Sequence, residues 1–133
     1  MRILTLSNLY PPFYVGGYEL RCAAITEALR ARGHDVRVLT SDHGLDTAPA
    51  PANQPHVRRL LRIHGYYGNP WLSLGRLQHL EIHNNQVLRD EIAAFKPDVV
   101  HVWCMNGLSK SLCLTLQQLG VREIKGDIVL DRS

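Results

Sequence analysis

The chain has 133 residues, 45% of them hydrophobic and 20% charged, with a formal net charge of +3. That size suits one domain with a real core, and so small a positive balance excludes any argument for nucleic acid from charge alone. Cys22, Cys104 and Cys113 form no C-x-x-C pair, which excludes a zinc ribbon or disulfide framework and points to a reducing cytoplasm; no stretch reads as a membrane span or secretory signal.

In chain order, "RILTLS" (residues 2–7) is a short apolar run bounded by turn residues and reads as a buried strand. The loop "PPFYVGGYEL" follows from Pro11. Tyr18, Cys22, Ile25 and Leu29 then recur at helical spacing and predict one apolar helix face. Arg30 and Arg32 fall in the last turn, and Gly33 suits the residue just past the end. "HDVRVLTS" (34–41) predicts a second strand, and "LDTAPAPANQP" (45–55) an exposed loop. "HVRRLLRI" (56–63) predicts a shorter third strand before the loop "HGYYGNPW". Residues 74–95 carry Leu77, Leu80, Val87, Leu88, Ile92 and Phe95 on one side, a long amphipathic helix stopped by Pro97. "KPDVVHVWC" is the clearest strand. Leu108, Leu112, Leu116 and Leu119 predict a last helix closed by Gly120, and the tail has room for a strand near residues 128–130.

Strands alternating with helices imply an α/β fold: a Rossmann-like, doubly wound parallel sheet with helices on both faces. Ligands of such sheets sit beyond the carboxyl ends of the strands. Three loops therefore matter: residues 8–17, 41–56 and 104–107.

The glycine pair Gly16–Gly17 precedes a helix start, where bare amides and partial positive charge favour a phosphate. The same residues would also serve a plain strand-to-helix turn. Neither G-x-G-x-x-G nor a P-loop is present. His101 and Trp103 share one strand face, so His101 either lines a pocket or is a buried, hydrogen-bonded strand histidine. Asn106 either reaches the pocket or caps the last helix. His79 and His83 stand four apart, but "HLEIH" is not H-E-x-x-H, and a solvated helix face is the plainer account. Arg58, Arg59 and Arg62, near Tyr66, Tyr67 and Trp71, suit either an anionic lipid or sugar acceptor, or an ordinary surface. Asp42 and Asp46 read as loop residues. No catalytic set of serine, histidine and acid, and no carboxylate pair, can be assembled from spacing.

One pattern is more specific. Pro12, Gly16, Gly17, Glu19, Arg32, Gly33, His34, Val36 and Thr40 spell P-x-x-x-G-G-x-E, then R-G-H-x-V, then a strand ending in Thr. This resembles the opening of the family 4 glycosyltransferases, which have the GT-B fold. "FKPDVVHVW" is similar to the family's K-P-D-V-V-H-x-H, with Trp103 in place of the second histidine. The resemblance covers residues 1–121, an amino-terminal domain forming one half of a GT-B architecture; 122–133 is left as a tail, a truncated or edge strand.

The resemblance implies transfer of a sugar from a nucleotide-sugar donor to a sugar or lipid-linked acceptor, with retained configuration and without a metal or cofactor. It implies Gly16 and Gly17 beside the donor phosphates, Tyr14 and Tyr18 on the cleft wall, and His101 and Asn106 on the acceptor side. The family's histidine after strand five is missing from "VREIKGDIVLDRS", and Asp131 does not replace it. The donor domain's E-x-x-x-x-x-x-E motif is also absent. The chain is therefore expected to be inactive alone and to need a carboxy-terminal domain or partner chain. It is expected to be cytoplasmic, with room for peripheral contact at the inner membrane face and for a dimer through the tail edge. Two other readings stand beside it: a standalone binding or regulatory module that pairs with a donor-binding chain, and an unrelated flavodoxin-like nucleotide binder.

Overall fold

The first helix, α1 (Gly17–Ala31), ends in a Schellman motif. Gly33 takes φ +92°, its amide donates to the Arg30 carbonyl and the His34 amide to that of Leu29. Gly120 closes α3 (Ser111–Gln118) in the same way, with bonds back to Gln117 and Leu116. Between them runs α2 (Leu74–Phe95), which stops at Lys96 in the left-handed region, immediately before Pro97. The computed structural model describes residues 1–126.

Five parallel strands, β1 (Arg2–Leu6), β2 (Asp35–Ser41), β3 (Val57–Leu61), β4 (Val99–Val102) and β5 (Glu123–Lys125), form one sheet in the order β3-β2-β1-β4-β5. This is the doubly wound arrangement expected from the sequence. The order reverses between β1 and β4, so the crevice for a ligand lies where those strands end. Register places Thr5 beside Val38 on one side and His101 on the other.

Strand alternation sorts the side chains onto two faces. Leu4, Leu6, Leu39, Leu61, Val100 and Val102 pack against Leu88 and Phe95 of α2 and Leu112 and Leu116 of α3. On the opposite face Val38 and Trp103 meet Tyr10 and, from α1, Cys22 and Ile25. Buried Glu91 pins α2 to the sheet through Arg58 at 2.9 Å and Arg37 at 3.6 Å. The side chain of Asn84 bonds both backbone groups of Arg62, at 2.9 and 2.8 Å, and so continues the hydrogen bonding just past the end of β3.

Three expectations change. Tyr18 does not join the buried helix face; it is 42% exposed in the first turn of α1, where its ring packs edge-on to Trp103. Leu119 is 44% exposed, because α3 ends at Gln118. The last described strand lies at Glu123–Lys125, an edge strand inside the tail; residues 128–130 and Asp131 lie outside the described residues.

Candidate functional site

At the reversal of strand order, β1 hands over to both neighbours. The Ser7 amide donates to the Leu39 carbonyl at 3.2 Å, and the Asn8 amide to that of Cys104 at 3.0 Å. Asn8 is fully buried, and its side chain is completely used. Its Nδ2 donates to Tyr67 Oη at 3.0 Å and to the Asn106 carbonyl at 2.9 Å, while its Oδ1 accepts from the Leu9 amide. One amide thus joins the three loops after β1, β3 and β4. Sequence reasoning missed it; the only signal was a polar pair placed directly after the first strand.

The loop after β1 is held from beneath by Arg59, which is 8% exposed. Its guanidinium donates to the carbonyls of Tyr10 (3.1 Å) and Pro11 (2.8 Å) and to Gln54 Oε1 (2.8 Å), and lies over the Phe13 ring. Burial pulls its pKa below the ordinary arginine value, against an opposing pull from Tyr10. Arg58 turns the other way, to Glu91, so the basic run of the sequence is divided between two faces. Phe13 in turn packs against Gly44, where a Cβ would strike the ring. The Pro11–Pro12 peptide is cis.

The loop ends in the glycine pair. Gly16 is extended (φ −149°), a conformation open to any residue, and Gly17 is the first residue of α1. A Cβ added at Gly17 would meet nothing within 4 Å, and at Gly16 only Glu19 Oε2 at 3.9 Å. The fold itself therefore requires no glycine at either position. Buried Glu19 reaches back to accept from the Gly16 amide at 2.8 Å and the Val15 amide at 3.3 Å, half of a capping box.

Of the other candidates, Tyr14 is 45% exposed on the rim. Tyr18 packs edge-on to Trp103, with centroids 5.3 Å apart, and Trp103 contacts the His101 ring at 4.9 Å. His101 is buried, with Nε2 donating to the Gly126 carbonyl. Asn106 is exposed and gives its carbonyl to Asn8. The structure thus gathers Tyr18, His101 and Trp103 below the start of α1, with Asn106 on a separate loop. His83 donates to the Leu60 carbonyl at 2.9 Å and His79 is exposed. Among the described residues no three His, Cys, Asp or Glu side chains are grouped to hold a metal. Burial pushes the Cys22 thiol up to about 12, which leaves it inert.

Two cavities flank the loop after β4. One, of about 350 Å³, lies between α2 and that loop and is walled by Tyr66, Leu77, Leu80 and Met105. Its Tyr66 belongs to four consecutive residues in the left-handed region, Gly65 to Gly68, with φ of +63°, +56°, +51° and +81°. Two tyrosines in that conformation cost about 1–2 kcal/mol each. They are retained by Tyr67 bonding to Asn8 and by Tyr66 packing on Trp71 at 5.2 Å. The second cavity, of about 480 Å³, opens beside Tyr18 and is walled by Trp103, Lys110, Cys113 and Lys125. Lys110 and Met105 belong to both walls.

A doubly wound α/β unit of this kind leaves its ligand space beyond the carboxyl ends of the strands. The model of the family described as "Glycosyl transferase 4-like domain" matches residues 16–124, and the chain belongs to that family. It is a glycosyltransferase-like amino-terminal domain of the GT-B type. An "Uncharacterized 42.6 kDa protein in cps region" of Klebsiella pneumoniae is 27% identical over 119 residues, 82% of this chain and 31% of that protein. Among solved structures, MurG of Acinetobacter baumannii has a TM-score of 0.65 at 15% identity, over 93% of this chain and 34% of its own. The SsfS6 glycosyltransferase of Streptomyces sp. SF2575 has 0.55 at 20% identity, over 94% and 38%. UDP-GlcNAc 2-epimerase from Methanocaldococcus jannaschii has 0.59 at 14% identity, over 94% and 31%. The chain spans about a third of the length of each of these relatives.

Proposed function

We propose that the chain is the acceptor-side half of a retaining glycosyltransferase that uses a nucleotide-sugar donor and needs no metal or cofactor. In this reading the donor diphosphate lies over Gly16 and Gly17. Tyr14 and Tyr18 wall the cleft, and His101 and Asn106 serve the acceptor side. The observation that carries it is the open space over the two glycines: the fold leaves it unfilled, beside a helix start that favours an anion. The acceptor, a sugar or a lipid-linked sugar, enters from the loop after β4. The donor domain comes from further sequence or from a partner chain, because a half-cleft neither excludes water nor holds both substrates.

The reading places the work in the cytoplasm, at the inner membrane face. Among the described residues no helix is long and apolar enough to cross a membrane. Trp71, 68% exposed, and Leu74, 84% exposed, support a peripheral contact, with Arg76 close by in sequence.

The test is nucleotide-sugar turnover by the chain alone and with a GT-B donor half supplied. No turnover is expected alone, and measurable turnover with the donor half. Gly17→Val should then lower it about a hundredfold, the scale of losing electrostatic support for a developing anion, without changing the melting temperature. Ordinary turnover by the isolated chain, or full turnover by Gly17→Val, would refute the reading.

A further inference from the structure

The cavity beside Tyr18 has a charge character that the glycine loop does not explain. Lys110, just before α3, and Lys125, at the end of β5, arrive on its wall from different elements. Among the described residues neither lysine enters an ion pair. Both act on Cys113, which lines the same wall. Burial raises that thiol's pKa first and Glu123 raises it further, while Lys125 and then Lys110 pull it down. Two cations and one carboxylate therefore share one neighbourhood, and the two cations, not the carboxylate, line the cavity.

Trp103, 5% exposed, forms part of the same wall, and among the described residues its buried indole Nε1 has no hydrogen-bond partner. Such a donor costs about 1–3 kcal/mol while it stays unpaired. The backbone is also set close: a Cβ at Gly126 would lie 3.3 Å from Tyr18 Oη. The first turn of α1 borders the cavity through Tyr18 and adds its partial positive charge.

We infer that this cavity binds a phosphoryl group between Lys110 and Lys125, as an anion site separate from the one over Gly16 and Gly17. The anion site itself does not depend on the transfer reaction proposed above; only the naming of its source rests on that reading. The group comes either from the donor diphosphate or from a phosphorylated acceptor.

The test titrates inorganic pyrophosphate into the 133-residue chain by calorimetry and follows alkylation of Cys113 by peptide-resolved mass spectrometry. Lys110→Gln and Lys125→Gln should each weaken binding about tenfold, the scale of one charge-assisted hydrogen bond, and the double variant should abolish it. Lys110→Arg keeps the charge and should retain binding, which separates charge from folding. Saturating pyrophosphate should slow alkylation of Cys113, because the anion offsets the two ammonium groups and covers the thiol. Unchanged binding in the double variant, or unchanged alkylation at saturation, overturns the inference. Loss of binding in Gly17→Val with retention in the double variant also overturns it, since the phosphate then sits at the start of α1, and the transferase reading survives. Titration of methyl phosphate in the presence of saturating uridine diphosphate names the source. Undiminished binding supports the site on the acceptor side, and competition supports it on the donor side.

Discussion

The two faces of the sheet are made of different material. Toward α2 and α3 the strands present Leu4, Leu6, Leu39, Leu61, Val100 and Val102, an aliphatic layer beside which the polar side chains of Arg37 and Arg58 are ion-paired to Glu91 of α2. Toward α1 the same strands present Thr5, Thr40 and His101 among their apolar residues, ending in Trp103. There the hydroxyls of Thr5 and Thr40 and the Trp103 indole are buried without hydrogen-bond partners among the described residues. An aliphatic layer maximises burial and tolerates no gap; unpaired buried hydroxyls lower stability. The α1 face also carries the glycine pair and Tyr18, while the lysine cavity lies where the two faces meet, with Tyr18 from α1, Cys113 from α3 and Lys110 from the residue before α3. Aliphatic packing dominates one side of the sheet, and these unpaired hydroxyls lie on the other.

The contrast can be broken by mutation. The largest effect is expected on the aliphatic face: Leu112→Ala should cost about 3 kcal/mol in urea unfolding, the range for a buried leucine truncated to a cavity, with phosphate binding intact below the transition. Arg59→Leu comes next. It strands the Tyr10 and Pro11 carbonyls and should cost about 2 kcal/mol, and hydrogen exchange should quicken in residues 8–16 but not in α2. Arg59→Lys should not restore protection, because one ammonium cannot span the same three acceptors.

The sharpest comparison is a reciprocal pair. Thr40→Val removes a buried hydroxyl without a partner and should stabilise by about 1 kcal/mol, whereas Val100→Thr on the opposite face should destabilise by a similar amount. Equal signs for the two would end the distinction between the faces. The smallest effect is a pH slope at His56, whose pKa is lowered, by burial first and then by Arg30, against the pull of Glu27. The folded state then holds fewer protons than the unfolded one, so stability is fully present above the unfolded pKa of about 6.5 and declines as pH falls below it. His56→Gln should flatten that slope in melting curves between pH 5 and 8, a range of about the His titration window.

Much of the fold was legible because its signals are local. Gly33 and Gly120 mark helix ends by backbone conformation alone, and the apolar period of residues 74–95 returns as α2 with the same bounds. The edge strand in the tail was harder, since "EIK" has three residues and no period. The glycine pair was legible from its place before a helix; that the fold does not need it appears only when its surroundings are built. Asn8 and Arg59 were not legible, because their partners lie 48 to 98 residues away in sequence. The lysine cavity has the same origin: Lys110, Cys113 and Lys125 meet only because β5 pairs with β4.

Asn8 carries one more consequence. The residue that ties the three cleft loops is an amide, which neither titrates nor carries charge. An aspartate could accept the same backbone bond, but it could not donate to Tyr67 and Asn106, and it would set a negative charge in the path of an incoming phosphate. A lysine would compete with the cations of the wall. With a neutral joint, the tie between the three loops does not depend on acidity or salt, whatever charge lines the cleft. Geometry and field are thereby uncoupled, so the potential can be retuned through residues such as Lys110 and Lys125 without redrawing the loops.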